Sequence, residues 1–187
     1  MDDAPPTTRD RILDGALTLI AERGLLAVTN RNLAEVANVS LGSLTYHFDS
    51  QEQLLRETLL RFVERESERL RHLAEELNAG VEPETLAERV QDVLSQDPSH
   101  RLAKLELYLY AARRPDLQDA AARCFAAYDA VVASALTALG IDHAEIAETA
   151  VAAIDGLQLR RLATGDTGEL PAADALMLLL RGARDVR

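Results

Sequence analysis

Apolar residues recur along this chain at spacings of three and four, and no stretch alternates apolar with polar over a useful length. The first spacing lines one stripe of a helix and the second would line one face of a strand, so the pattern predicts an all-α protein. Ile12, Ala16, Leu19 and Ile20 form the stripe of a first helix over residues 9–23. Gly24 closes it, because glycine accepts the left-handed conformation that ends a helix. Thr29 is placed to cap a second helix over 30–37, whose inner face is Leu33, Val36 and Ala37. Asn38 and Val39 then make a tight turn, Asn being the non-glycine residue that best tolerates a positive φ. Ser40 caps a short third helix reaching His47. Asp49 and Ser50 open a fourth, each followed three residues later by Glu52 or Gln53 at the spacing of a capping box.

From Gln51 onward, Leu54, Leu55, Leu59, Phe62, Val63, Leu70, Leu73 and Leu77 sustain one long helix. Its other face, Glu64, Arg65, Glu66, Glu68, Arg69 and Arg71, reads as mixed charge turned to solvent. Residues 80–83 break the pattern. Further helices are expected over 84–94, from Asp97-Pro98 to Arg114-Pro115, and over 117–139, 142–163 and 171–184. The sum is about nine helices, three short ones ahead of a larger bundle. The expected division is a small domain over 8–54 and a larger one over 55–187.

Composition supports this picture: hydrophobic residues make up 48% of the 187, rich in Ala and Leu, while aromatics are only 4%. Nothing resembles a transmembrane run; an apolar window such as 172–180 is short and carries Asp174. The start, MDDAPPTTRDR, is acidic and lacks an apolar core, so a short disordered tail is expected there and no signal peptide. The single cysteine, Cys124, permits no internal disulfide and suits a reducing cytoplasm. Charge changes the picture more. The net charge is -11, and residues 1–56 hold five basic residues (Arg9, Arg11, Arg23, Arg31, Arg56) against eight acidic ones. Nucleic acid is then a partner only through a local surface that whole-chain charge does not measure.

Such a surface is suggested by VSLGSLTYHF, residues 39–48. Two short helices separated by a tight turn match a helix-turn-helix. The second helix of the chain would meet phosphate near Thr29 and Arg31, and the third would enter the major groove with small residues leading: Ser40, Gly42 and Ser43. Leu41 supplies an apolar contact for a thymine methyl, and Thr45, Tyr46 and His47 carry hydroxyls and a ring nitrogen toward base edges or phosphate. A plainer reading makes Tyr46 and Phe48 core aromatics and His47 a satisfied surface histidine.

Taken together, ILDGALTLIAERG, TNRNLAEVANVSLGSLTYHF and DSQEQLL resemble the DNA-binding domain of the TetR family of transcriptional repressors over residues 11–55. The resemblance implies that Thr45 and Tyr46 form the polar-aromatic end of a recognition helix, one of them on phosphate. It places His47 near the backbone and Phe48 in the core. It also implies a double-stranded operator, a homodimer, a small-molecule effector and no catalysis. Gln51 stands where the family has a lysine that looks like a phosphate clamp; glutamine still donates a hydrogen bond but releases no counterion.

Beyond Phe62 the resemblance is one of length and helix layout. A reader with one recognition helix needs a second copy, and Val151, Ile154, Leu157, Leu176 and Leu180 on the last two helices are the expected dimer interface, unless they close an internal core. A largely apolar effector cavity is expected among Leu105, Glu106, Leu109 and Arg113 on one helix, Phe125 and Tyr128 on the next, and Gln158 beyond. Glu106 and Arg113 have opposite signs and leave the ligand's charge open. The four histidines, His47, His72, His100 and His143, show no metal-ligand spacing, no glycine-rich phosphate loop appears, and no cofactor is expected. The rival to a DNA reader is an all-helical interaction module whose third helix faces protein.

Overall fold

The computed structural model describes residues 5–80, 98–138, 140 and 146–165. Among these it has seven α-helices: α1 (Thr8–Arg23), α2 (Asn30–Val36), α3 (Leu41–His47), α4 (Gln51–Asn78), α5 (Pro98–Ala112), α6 (Pro115–Ala138) and α7 (Ile146–Thr164). A 3-10 turn, Leu25–Ala27, joins α1 to α2. None of the described helices is long and apolar enough to cross a membrane. The helices expected over 84–94 and 171–184 lie outside the described residues.

The chain divides into two compact units, residues 1–65 with 99–122, and residues 66–98 with 123–187. In the first, Ile12, Ala16, Leu19 and Ile20 of α1 are fully buried, as the spacing requires, and Val28, Leu33, Leu44 and Phe48 from the two short helices and their approaches are buried in the same unit. Leu54, Leu55, Leu59 and Phe62 of α4, with Leu107 of α5 and Leu117 of α6, complete this core. Helices of seven residues do not hold themselves in water, so the packing and the caps must. Thr29 accepts from the Asn32 amide at 3.3 Å and Ser40 from the Ser43 amide at 3.0 Å. Between them Asn38 takes φ 51°, as expected of this turn. At the start of α4 the Ser50 hydroxyl accepts from the Gln53 amide at 3.1 Å, while the Gln53 side chain accepts from the Asp49 amide at 2.8 Å.

Two details differ from the pattern. Helix α1 begins one residue early because Thr7 and Asp10 form a reciprocal capping box. Val36, expected inside, is 36% exposed, and α2 holds the core through Leu33 and Ala37 alone. The approach there is close: a Cβ at Gly15 of α1 would stand 3.2 Å from the Ala37 Cβ, tighter than an ordinary van der Waals contact.

In the second unit Leu70, Leu73 and Leu77 of α4 are buried with Cys124, Tyr128, Val131 and Leu136 of α6 and Ala147, Ala150, Val151 and Ile154 of α7. Cys124 is a fully buried thiol acting as a small filler. Glu66, read as a solvent-facing charge, is instead 4% exposed. Arg69 holds it through two bonds of 2.8 and 3.0 Å, and the Tyr128 hydroxyl donates to the same carboxylate. Burial and the adjacent Glu66 charge push the Tyr128 phenol well above its usual range, so it keeps its proton and serves as donor.

Candidate nucleic-acid interface and ligand pocket

Helix α3 presents two faces with opposite tasks. Leu44 and Phe48, four residues apart, are 4% and 7% exposed and anchor it. The same twist turns Leu41 and Tyr46 outward, to 57% and 84% exposure. Ser40, Gly42 and Thr45 are exposed beside them, while Ser43 and His47 are half-buried. Thr29 and Arg31 are exposed at the start of α2. Tyr46 is therefore no core aromatic, whereas Phe48 is.

The hydrogen bonds distinguish the two hydroxyls at the end of α3. Thr45 donates its only proton to the Gly42 carbonyl at 3.1 Å. The Tyr46 hydroxyl makes no hydrogen bond among the described residues, and its ring lies edge-on to His47 with centroids 5.1 Å apart. A free phenolic donor on an exposed ring is the group suited to a phosphate oxygen. Gln51, exposed at the head of α4, has its amide nitrogen on the Val28 carbonyl at 2.8 Å, tying α4 to the approach of α2.

The acidic balance of this region is resolved by where the acids pair. Arg61 forks onto Asp14 at 2.7 and 3.1 Å and reaches Asp10 at 2.7 Å. Arg65 adds a 2.6 Å pair to Asp14, Arg9 pairs with Glu57, and Arg114 reaches Glu52 at 3.3 Å. Burial alone would raise the Asp14 carboxyl, but hydrogen bonds from Arg61 and Arg65 outweigh it and hold the group below its ordinary range. Asp10 is lowered chiefly by hydrogen bonds from Thr7, then by Arg61. These carboxylates close the α1–α4 contact. Helix α3 itself contains no acid, and Arg31 is exposed without an ion pair among the described residues.

The seven residues expected to line one effector cavity fall into both units: Leu105, Glu106, Leu109 and Arg113 in the first, Phe125, Tyr128 and Gln158 in the second. On α5 the buried positions are Ala103, Lys104, Leu107, Tyr110 and Ala111, so the expected wall is the helix's outer face. Three of its members, Glu106, Leu109 and Arg113, line an open pocket of about 360 Å³ with Arg23, Leu25 and Leu26. Leu105, half-buried, is not among its lining residues. The Glu106 carboxylate accepts from the Leu25 amide, across 81 residues of sequence. Gly24 makes room for it: a Cβ there would stand 3.0 Å from Glu106 Oε1, and φ is +82°. In the second unit Phe125 is 36% exposed, Tyr128 is bound to Glu66, and Gln158 is buried.

Of the expected dimer residues, Val151 and Ile154 are each 7% exposed in the single chain and belong to its own core. They give no free surface to a second copy. Leu157 is half-buried, Leu159 beside it is 52% exposed, and Leu176 and Leu180 lie outside the described residues.

Comparison with known proteins is consistent over most of the chain. Residues 12–58 match the family model for bacterial regulatory proteins of the tetR family, and residues 81–185 match that of the tetracyclin repressor-like C-terminal domain. The HTH-type transcriptional regulator BetI of Agrobacterium fabrum (strain C58) is 32% identical over 184 residues, covering 92% of this chain and 85% of that one. The HTH-type transcriptional repressor KstR2 of Mycolicibacterium smegmatis is 43% identical over 60 residues, but this match spans only 29% of that repressor's length. Among solved structures, the multidrug binding protein EbrR complexed with proflavin aligns with a TM-score of 0.64 at 29% identity, covering 94% of this chain and 99% of that one.

Proposed function

The chain belongs to the TetR family of transcriptional regulators, DNA-binding proteins and not enzymes, and on that premise we propose that it is a ligand-responsive repressor gripping a near-palindromic operator as a homodimer. Each protomer lays α3 in the major groove of one half-site. The observation that carries this reading is the division of labour on α3: Leu44 and Phe48 bury one side while Tyr46 stands 84% exposed with a free hydroxyl. Ser40, Gly42 and Ser43 let the helix approach base edges, Leu41 meets a thymine methyl, and Tyr46, His47, Thr29 and Arg31 fix its register on phosphate. Thr45, its proton held by Gly42, serves as an acceptor or a packing contact. The dimer forms through the exposed side of α7, with Leu157 and Leu159, and the chain beyond it, including Leu176 and Leu180.

The effector is a small, largely apolar molecule engaging the second unit around Phe125, with Tyr128, Glu66 and Gln158 as its polar groups. Drug binding by the EbrR neighbour supports that class. The ligand releases DNA by binding the two operator-affinity states unequally. Helix α4, whose residues contribute to both units, is the element through which its packing reaches the DNA-binding helices. Selection of bound fragments from random duplex DNA tests the reading: it should enrich a near-palindrome, and recovery of no enriched sequence would overturn it.

A further inference from the structure

The pocket between the turn after α1 and the outer face of α5 has walls that the protein's own core does not use. Leu26 is 95% exposed and Leu109 65% exposed, yet both line the same 360 Å³ space beside the Tyr110 ring. Its charged groups divide into those already engaged and those that are not. The Glu106 carboxylate accepts from the Leu25 amide. Arg114 reaches Glu52 at 3.3 Å and lies over the Tyr110 ring, 3.6 Å from its centroid. Arg23 and Arg113 form no ion pair among the described residues, although both border the pocket.

Two unpaired guanidiniums beside apolar walls select a particular chemistry. Arginine matches a carboxylate with parallel, charge-assisted hydrogen bonds, and the leucines and the tyrosine ring offer burial to a hydrocarbon body. A phosphate on DNA would satisfy the cations but has no use for the leucines. A cationic ligand meets more arginine than carboxylate here. We propose that this pocket binds a small organic carboxylate, its head taken by Arg23 and Arg113 and its apolar body lying against Leu26, Leu109 and Tyr110. The site is distinct from the effector region proposed around Phe125. It adjoins the Glu106–Leu25 hydrogen bond, which fastens α5 to the turn leading into α2, so an occupant touches the end of α1 and that turn.

The test is calorimetric titration of the full chain, without DNA, using octanoate as the probe and 1-octanol and octyltrimethylammonium as controls of equal length. Its outcome is thus independent of the operator reading. Octanoate should bind saturably, one per chain, with 1-octanol at least tenfold weaker and no binding of the ammonium. Arg23→Gln and Arg113→Gln should each weaken octanoate about tenfold at an unchanged melting temperature, as expected for loss of a charge-assisted contact. Arg71→Gln, which removes the same charge from an exposed part of α4, should bind as the unaltered protein does. Absence of saturable octanoate binding, equal binding of either control compound, or arginine variants that bind normally would each overturn the proposal.

Discussion

Glu66 shows how a single residue departs from its local pattern. It sits in a charged run, but its number continues the stripe Leu59, Phe62, Val63, Leu70, so helical geometry turns it inward. Burying a carboxylate is tolerated only with partners, among them Arg69, one turn away, and Tyr128, 62 residues away. Asp10 and Asp14 illustrate the same point at lower burial, and they carry a pH prediction. Their folded-state pKa values lie below the unfolded value of 3.8, so their stabilisation is fully present above about pH 4 and is lost as pH falls through the folded values. Thermal melts between pH 5 and pH 2.5 should therefore show a falling acid limb that is shallower in Asp14→Asn. An acid limb of the same slope in that variant would remove Asp14 from the account.

Helices with strong periodicity and explicit caps were the legible part of this chain. The stripe of α1, the caps at Thr29, Ser40 and Ser50, the left-handed Asn38 and eight of the nine buried apolar positions of α4 all follow from local spacing. What local spacing does not contain is which outward-looking residue meets a distant partner. Nothing near Glu106 signals the Leu25 amide, and nothing near Tyr128 signals Glu66. The same limit applies at Gln51, whose position suggested phosphate and whose amide ties α4 to Val28. Gln51→Lys exchanges that tie for a cation at the head of α4. If this end faces the DNA backbone, the logarithmic salt dependence of binding should steepen by ~0.9 per protomer, with a loss of about 1 kcal/mol in folding stability from the missing hydrogen bond. Salt titration of DNA affinity and urea unfolding read the two effects separately. An unchanged salt slope would mean that the head of α4 does not approach phosphate.

At the scale of the whole molecule, a net charge of -11 coexists with DNA reading because the charges are sorted. Asp10, Asp14, Glu52 and Glu57 pair with arginines within their own compact unit, leaving α3 with no acid and Arg31 unpaired among the described residues. In the proposed dimer every contact that one recognition helix makes is doubled, so a single substitution should act twice on each operator. Tyr46→Phe is the sharpest use of this symmetry, since it removes only a hydroxyl from a ring that is 84% exposed and keeps the ring's edge-on contact with His47. A hydrogen bond to a charged phosphate contributes about 1.5 kcal/mol, hence about 3 kcal/mol per dimer, or roughly a hundredfold in affinity. The deciding measurement is fluorescence anisotropy of a selected operator duplex titrated with the unaltered protein and with Tyr46→Phe, each checked for its melting temperature. The account predicts that roughly hundredfold loss with melting unchanged; a Tyr46→Phe protein that binds the operator as tightly as the original would contradict it.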